Sequence, residues 1–155
     1  MSGFEIGKDF EQHLKSRYKK GATILELGSG EGTQRLSEHF NMISVEQDEK
    51  YLGLYDSNYI HARINKHTHW FERNDLLPIL AMRYDIILID APRAIPETAR
   101  LGFLDNLDLF NMTLPIYIDD VHRKSEFQLA VRLSYMLNKQ FTIFGEVDKM
   151  FAEII

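Results

Sequence analysis

The chain has 155 residues, a formal net charge of −5, 45% hydrophobic and 26% charged positions, and no cysteine. That length suits one domain with a real core, and the missing cysteine excludes a disulfide framework, a thiolate metal site and a cysteine nucleophile. The acidic balance argues against a nucleic-acid partner; with no apolar run of membrane-spanning length and no secretory signal at the N-terminus, the expected compartment is the cytoplasm.

Phe4 to Lys20 is predicted as a first helix, with Phe10, Leu14 and Tyr18 at the four-residue step. Its Lys15, Arg17, Lys19 and Lys20 complement a helix C-terminus before Gly21. Strands are predicted at Thr23–Leu27, Met42–Glu46 and Tyr59–Ile64, with short helices at Thr33–Phe40 and Asp48–Tyr55, the latter capped by Asp48. A polar, histidine-bearing connection leads to Trp70 and a helix over Asp75–Met82. The near-continuous apolar run from Tyr84 to Asp90 is what a central parallel strand, covered on both faces, requires. A proline-bearing loop from Ala91 to Ala99 precedes a helix at Leu101–Phe110, a strand at Pro115–Asp119 and an amphipathic helix at Ser125–Leu137. Phe141–Val147 and Met150–Ile155 alternate like the arms of a hairpin joined by Asp148-Lys149. Five β-α steps followed by a hairpin predict a parallel sheet ending in one antiparallel strand.

The most informative stretch is Ile24-Leu25-Glu26-Leu27-Gly28-Ser29-Gly30-Glu31-Gly32, an apolar strand running into glycines at every second position. Such a turn lets backbone approach a bound molecule closely. A dinucleotide fold calls for G-x-G-x-x-G, but Thr33 holds the last glycine's position and Gly32 comes one place early. This counts against a nicotinamide dehydrogenase. The next strand ends in Glu46, whose carboxylate can accept the two hydroxyls of a ribose; Asp48 is better placed as a helix cap.

The E-x-G-x-G turn, the acidic SVEQD, the strand YDIILIDAP and the strand PIYIDDVHR resemble the successive motifs of class I S-adenosylmethionine-dependent methyltransferases. YIHARI with Trp70, LIDAPR, Arg100-Leu101-Gly102-Phe103-Leu104 and IDDVHR are also similar to a smaller group that methylates oxygen on uronic-acid sugars of polysaccharides. The resemblance implies an α/β fold: a Rossmann-like seven-stranded methyltransferase sheet, mostly parallel with a C-terminal antiparallel hairpin, helices on both faces, in a single donor-binding domain over residues 1–155. It assigns S-adenosyl-L-methionine as cofactor, held by Glu26, Gly28, Ser29, Gly30, Gly32, Glu46, Ala62 and Asp90. Adenine is expected near Ala62 and Arg63, with Trp70 and Phe71 either beside it or in the core.

Asp90, Asp120 and His122 are the expected catalytic residues, His122 as general base on a hydroxyl. Asp90, Asp119 and Asp120 form a candidate set for Mg²⁺. Asp119 and Asp120 can share a pocket only if the strand has ended between them, and Asp120 is equally a candidate N-cap. Arg93, Arg100 and Arg123 are expected to fork onto an anionic acceptor. The leading expectation is O-methylation of a sugar or glycan hydroxyl. A small nitrogen or phenolic acceptor, and a non-catalytic donor-binding module of a larger assembly, are the alternatives.

Overall fold

The computed structural model describes residues 6–92 and 96–155. Among them, β1 (Thr23–Leu27), β2 (Asn41–Glu46), β3 (Asn58–His61), β4 (Ile86–Ile89), β5 (Ile116–Asp119), β6 (Phe141–Glu146) and β7 (Lys149–Ile154) form one sheet in the order β3-β2-β1-β4-β5-β7-β6. The five strands from β3 to β5 are parallel, and β7 enters antiparallel to both β5 and β6. The fold is the mostly parallel seven-stranded sheet expected. Strand order reverses between β1 and β4, which opens a crevice at the carboxyl ends of these strands.

Alternation along the strands divides the core in two. Ile24, Met42, Ile86, Leu88, Tyr117 and Phe151 face α1 (Lys8–Arg17) and α2 (Glu31–Ser37), meeting Phe10, Leu14 and Leu36. Leu25, Leu27, Ile43, Val45, Ile87, Ile89, Ile116 and Ile118 face the other way, under Leu129 and Leu133 of α3 (Lys124–Leu137). The segments Arg73–Ala81 and Ala99–Leu109 complete that second layer.

Several predicted helices are shorter or tighter, each for a local reason. The first covers Lys8–Arg17 because Tyr18 is extended (φ −122°) and sends its hydroxyl to Tyr117; residues 4 and 5 of the prediction lie outside the described residues. After β2 only Glu49–Tyr51 turns helically, with Asp48 capping Lys50 N–H as predicted, before Gly53 turns left-handed. Arg73–Ala81 and Ala99–Leu109 are 3₁₀ rather than α. Pro78 lies inside the first and cannot donate. In the second, Asn106 carries its own carboxamide to the Gly102 carbonyl, the i−4 acceptor that an α-helix would use, and kinks at φ −130°. The strand predicted to reach Ile64 ends at His61, Ile64 keeping only an isolated bridge to Phe71. The hairpin pairs Glu146 with Lys149, so its turn is Val147-Asp148, one residue earlier than predicted.

Candidate functional site

Alternation also decides where the polar residues of the strands point. Glu26, Ser44, Glu46 and Asp119 are in phase with the α1/α2 face, and Asp90 follows Leu88 by two. Four acids from four strands thus collect at one end of one face.

The turn after β1 is shaped for close approach. Gly28 has φ +99°, and a Cβ there would stand 2.7 Å from Ala91 Cβ and 3.1 Å from the Asp90 carbonyl oxygen. Glycine is required on both counts. Its N–H donates to the Val45 carbonyl at 2.8 Å, and Asp90 N–H donates to the Leu27 carbonyl at 3.0 Å, so the tips of three strands are tied together. At Gly30 a Cβ would meet only open space, and at Gly32 it would press on Ile6 at 2.7 Å. Gly32 therefore lets the N-terminal segment pack against α2.

Thr33, which broke the dinucleotide pattern, has a use. Its hydroxyl donates to Glu26 Oε1 at 2.6 Å and accepts from Gly30 N–H at 3.1 Å. Ser44 donates to the same Glu26 oxygen at 2.6 Å. Burial raises the Glu26 carboxyl to about 7, the two hydroxyls pulling it down and the Glu46 charge pushing it up. Glu46 is nearly buried and accepts from Ser29 N–H at 3.1 Å on one oxygen and from Asp48 N–H at 2.7 Å on the other. Each of its oxygens retains a second lone-pair direction.

These groups line a cavity of about 390 Å³, within the range of small-molecule sites. Gly28, Ser29, Gly30 and Glu31 form one wall, and Glu46, Gln47, Asp48 and Lys50 another. Tyr51 and Tyr55 stand at one end, with Asp90, Ala91, Pro92, Arg100 and Asp120 at the other. A recess of about 30 Å³ beside Gly28 reaches Glu26, Thr33, Gly32 and Asp90, room for about one water-sized polar group.

Past Asp90 the geometry departs from the expectations in informative ways. Asp119 closes β5, and Asp120 then adopts φ +61°. This left-handed residue ends the strand and turns the second carboxylate back toward the first, the condition for both to share a pocket. Carboxylate oxygens of Asp90, Asp119 and Asp120 lie within 4.8 Å of one another. Burial and the Asp119 charge push the Asp90 carboxyl well above its usual range. Burial and the Asp120 charge raise Asp119 as well. Asp120 moves down despite its burial, because Lys149, Arg100 and Arg123 surround it.

Arg100 is buried and its donors are engaged inside the protein: Nε to the Pro92 carbonyl at 3.1 Å, Nη2 to the Asp90 carbonyl at 3.0 Å, Nη1 to Asp120 Oδ2 at 3.3 Å. It buttresses the ends of β4 and β5 and has no fork left for an acceptor. Arg123 pairs with Asp120 at 3.4 Å and is about one-third exposed. Arg93 lies outside the described residues. His122 is exposed and does not line the cavity; it lies two residues past the left-handed Asp120, beyond the end of β5. Ala62 is fully buried beneath Glu46, its N–H on the Glu46 carbonyl at 3.0 Å, and does not reach the cavity. Trp70 and Phe71 are core residues, their rings edge to face at 5.4 Å. Gly102 clears the space for Trp70, since a Cβ there would lie 2.6 Å from Trp70 Cβ.

Sequence reasoning missed Tyr51 and Tyr55, which line the cavity where adenine-side contacts were sought on β3. Their four-residue spacing after Glu46 is the available signal, absorbed into the short helix expected over Asp48–Tyr55. It also missed Lys149, which was read as a turn residue.

No family model matches the chain, and no curated protein matches it. Solved structures do. A candidate caffeoyl-CoA O-methyltransferase from Staphylococcus aureus superposes with a TM-score of 0.61 at 13% identity, over 94% of this chain and 80% of that one. The methyltransferase PaMTH1 of Podospora anserina, with S-adenosylhomocysteine bound, gives 0.57 at 15% identity, over 93% and 74%. A ribosomal protein L11 methylase from Lactobacillus delbrueckii subsp. bulgaricus gives 0.59 at 12% identity, over 94% and 73%. Two of these neighbours are named for unlike acceptors, caffeoyl-CoA and a ribosomal protein, and at such identity what all three share with this chain is the architecture: it has the Rossmann-like fold of the class I S-adenosylmethionine-dependent methyltransferases.

Proposed function

We propose that the chain is an S-adenosylmethionine-dependent methyltransferase that binds its donor across the cavity at the carboxyl ends of β1, β2 and β4. The observation that carries this reading is the convergence on one cavity of the Gly28 turn, the strand-end carboxylate Glu46 and Asp90. Glu46, already anchored by Ser29 and Asp48 N–H, offers its remaining lone pairs to the two ribose hydroxyls. Tyr51 and Tyr55 supply aromatic surface for adenine at the same end. The recess at Glu26 suits the donor's ammonium, and the acidic wall suits its sulfonium charge.

The transfer itself is an in-line displacement. An acceptor lone pair forms the bond to the methyl carbon while the carbon–sulfur bond breaks, its electron pair returning to sulfur as neutral S-adenosylhomocysteine. Alignment of oxygen, carbon and sulfur is the main contribution required of the protein. A hydroxyl acceptor also loses its proton, and Asp90, whose carboxyl is raised by burial, is the cavity-lining group suited to take it. That base favours oxygen methylation, with a sugar or glycan hydroxyl as the first acceptor class to assay. Of Arg100 and Arg123, it is Arg123 that keeps exposed surface for an anionic acceptor.

Calorimetric titration of S-adenosylhomocysteine against NAD tests the donor assignment. The expected result is binding of the first alone, weakened by at least ~1.5 kcal/mol in Glu46→Ala, the scale of a charge-assisted hydrogen bond. NAD binding, or unchanged affinity in the variant, would overturn it. Donor binding with no turnover on hydroxyl, phenol or amine acceptors would point to a donor-binding module instead.

A further inference from the structure

The Asp90, Asp119 and Asp120 cluster has the spacing of a divalent-cation site, yet its charge is already answered from within the chain. Lys149 Nζ donates to Asp119 Oδ2 at 3.0 Å and to Asp120 Oδ1 at 3.1 Å. Arg100 adds a guanidinium 3.3 Å from Asp120 Oδ2 and 3.6 Å from Asp90 Oδ1. A Mg²⁺ ion would have to displace an ammonium that bridges two of its three ligands. The residues present do not fit a resident metal.

The place of Lys149 follows from register. β7 runs antiparallel to β5 with Phe151 opposite Asp119. Two residues before Phe151, Lys149 therefore lies beyond the carboxyl end of β5 and on the same face as Asp119. Its stem packs close to Gly7, where a Cβ would approach Lys149 Cγ to 3.3 Å. The side chain is 30% exposed and stands behind Asp120 without lining the cavity. Both carboxylates favour the ammonium and outweigh the cost of its burial.

We propose that Lys149 is a built-in counter-cation standing where a divalent metal would otherwise be gathered, fixing Asp120 at the cavity wall and leaving the site metal-free. Lys149 is thus a positioning residue. Its effect on the reaction rests on the methyltransferase reading; the ion chemistry does not. Without the ammonium, two buried carboxylates lose their shared partner, and the cluster becomes a latent oxygen site for a hard cation.

The test compares wild type, Lys149→Arg and Lys149→Ala by thermal melting and by calorimetric titration with Mn²⁺, Ca²⁺ and Mg²⁺. Wild type and Lys149→Arg should ignore all three ions. Lys149→Ala should melt lower, recover with millimolar cation, and bind Mn²⁺ at least ~10-fold more tightly than wild type, a gain that added Asp119→Asn removes. A purely structural lysine would give the lower melting point without the cation response. Saturable cation binding by wild type that Asp119→Asn abolishes would overturn the proposal. So would a folded Lys149→Ala that ignores every cation. If Lys149→Ala folds only with cation present, the proposal stands; if it folds under neither condition, Lys149→Gln takes its place under the same criteria and the wild-type titration still decides. S-adenosylhomocysteine affinity measured on the same samples reports separately on the donor site.

Discussion

Gly28 and Gly30 sit two residues apart in one turn, and a methyl group added at each meets opposite surroundings. Gly28→Ala forces a left-handed backbone on alanine and drives its Cβ into Ala91 and the Asp90 carbonyl. Urea unfolding should register a loss of about 2–4 kcal/mol. Gly30 is extended (φ −171°) with nothing near its Cβ, so Gly30→Ala should unfold within about 0.5 kcal/mol of wild type and show its effect in weaker donor binding. His122 and Asp90 divide in a similar way. Asp90→Asn should slow methyl transfer by roughly 10²- to 10⁴-fold with donor affinity retained, the scale of general-base loss, whereas His122→Ala should leave turnover near wild type. Equal damage from both would restore the imidazole as base. The glycine turn, Glu46 and Asp90 were legible because strand-end position and residue type suffice to place them. His122 was not, because β5 ends at the left-handed Asp120, and strand alternation no longer says which way a residue two positions further on points.

At the scale of elements, hydrophobic period identified every strand, and the errors are those that a period cannot see. Pro78 and the Asn106 carboxamide tighten two expected helices into 3₁₀ turns, which still send Leu76, Ile79, Phe103 and Leu109 into the core. The hairpin was placed one residue late. Since side chains alternate along a strand, that slip was enough to hide Lys149 in a turn when its register puts it beside Asp119. The hairpin also carries Glu153 into the layer under α1, where it is nearly buried. His13 bonds it at 2.6 Å and Tyr117 donates to it at 2.7 Å, while the Tyr117 hydroxyl also meets Tyr18 at 2.7 Å. This network fastens α1 to β5 and β7. Tyr117→Phe removes the shared hydroxyl while keeping the ring, and should cost about 1–2 kcal/mol in equilibrium unfolding with donor affinity unchanged. An unaltered midpoint would mean that ring packing alone holds the helix.

For the molecule as a whole, the protonation of Glu26 couples stability to pH and, on the donor assignment proposed above, to donor binding. Its carboxyl titrates near 7 in the fold against an ordinary 4.5, burial being the main cause. Below 4.5 both folded and unfolded chains carry the proton. Between 4.5 and 7 the folded chain holds a proton that the unfolded chain has released, so stability falls as pH rises through this window and levels off above it. The full excursion is roughly 3 kcal/mol. Asp90, also raised by burial, adds a slope of the same sign, so the contribution of Glu26 is read as a difference: Glu26→Gln, neutral at every pH, should flatten the stability profile between pH 4.5 and 7 relative to wild type. A cationic donor entering the adjoining recess favours the carboxylate and pulls the Glu26 titration down. Binding of S-adenosylmethionine near pH 7 should therefore release a fraction of a proton, seen as a dependence of the calorimetric heat on the buffer's ionisation enthalpy. Glu26→Gln should bind without that release. Identical buffer dependence in wild type and variant would place the donor's ammonium elsewhere and leave Glu26 as a buried strut between Thr33 and Ser44.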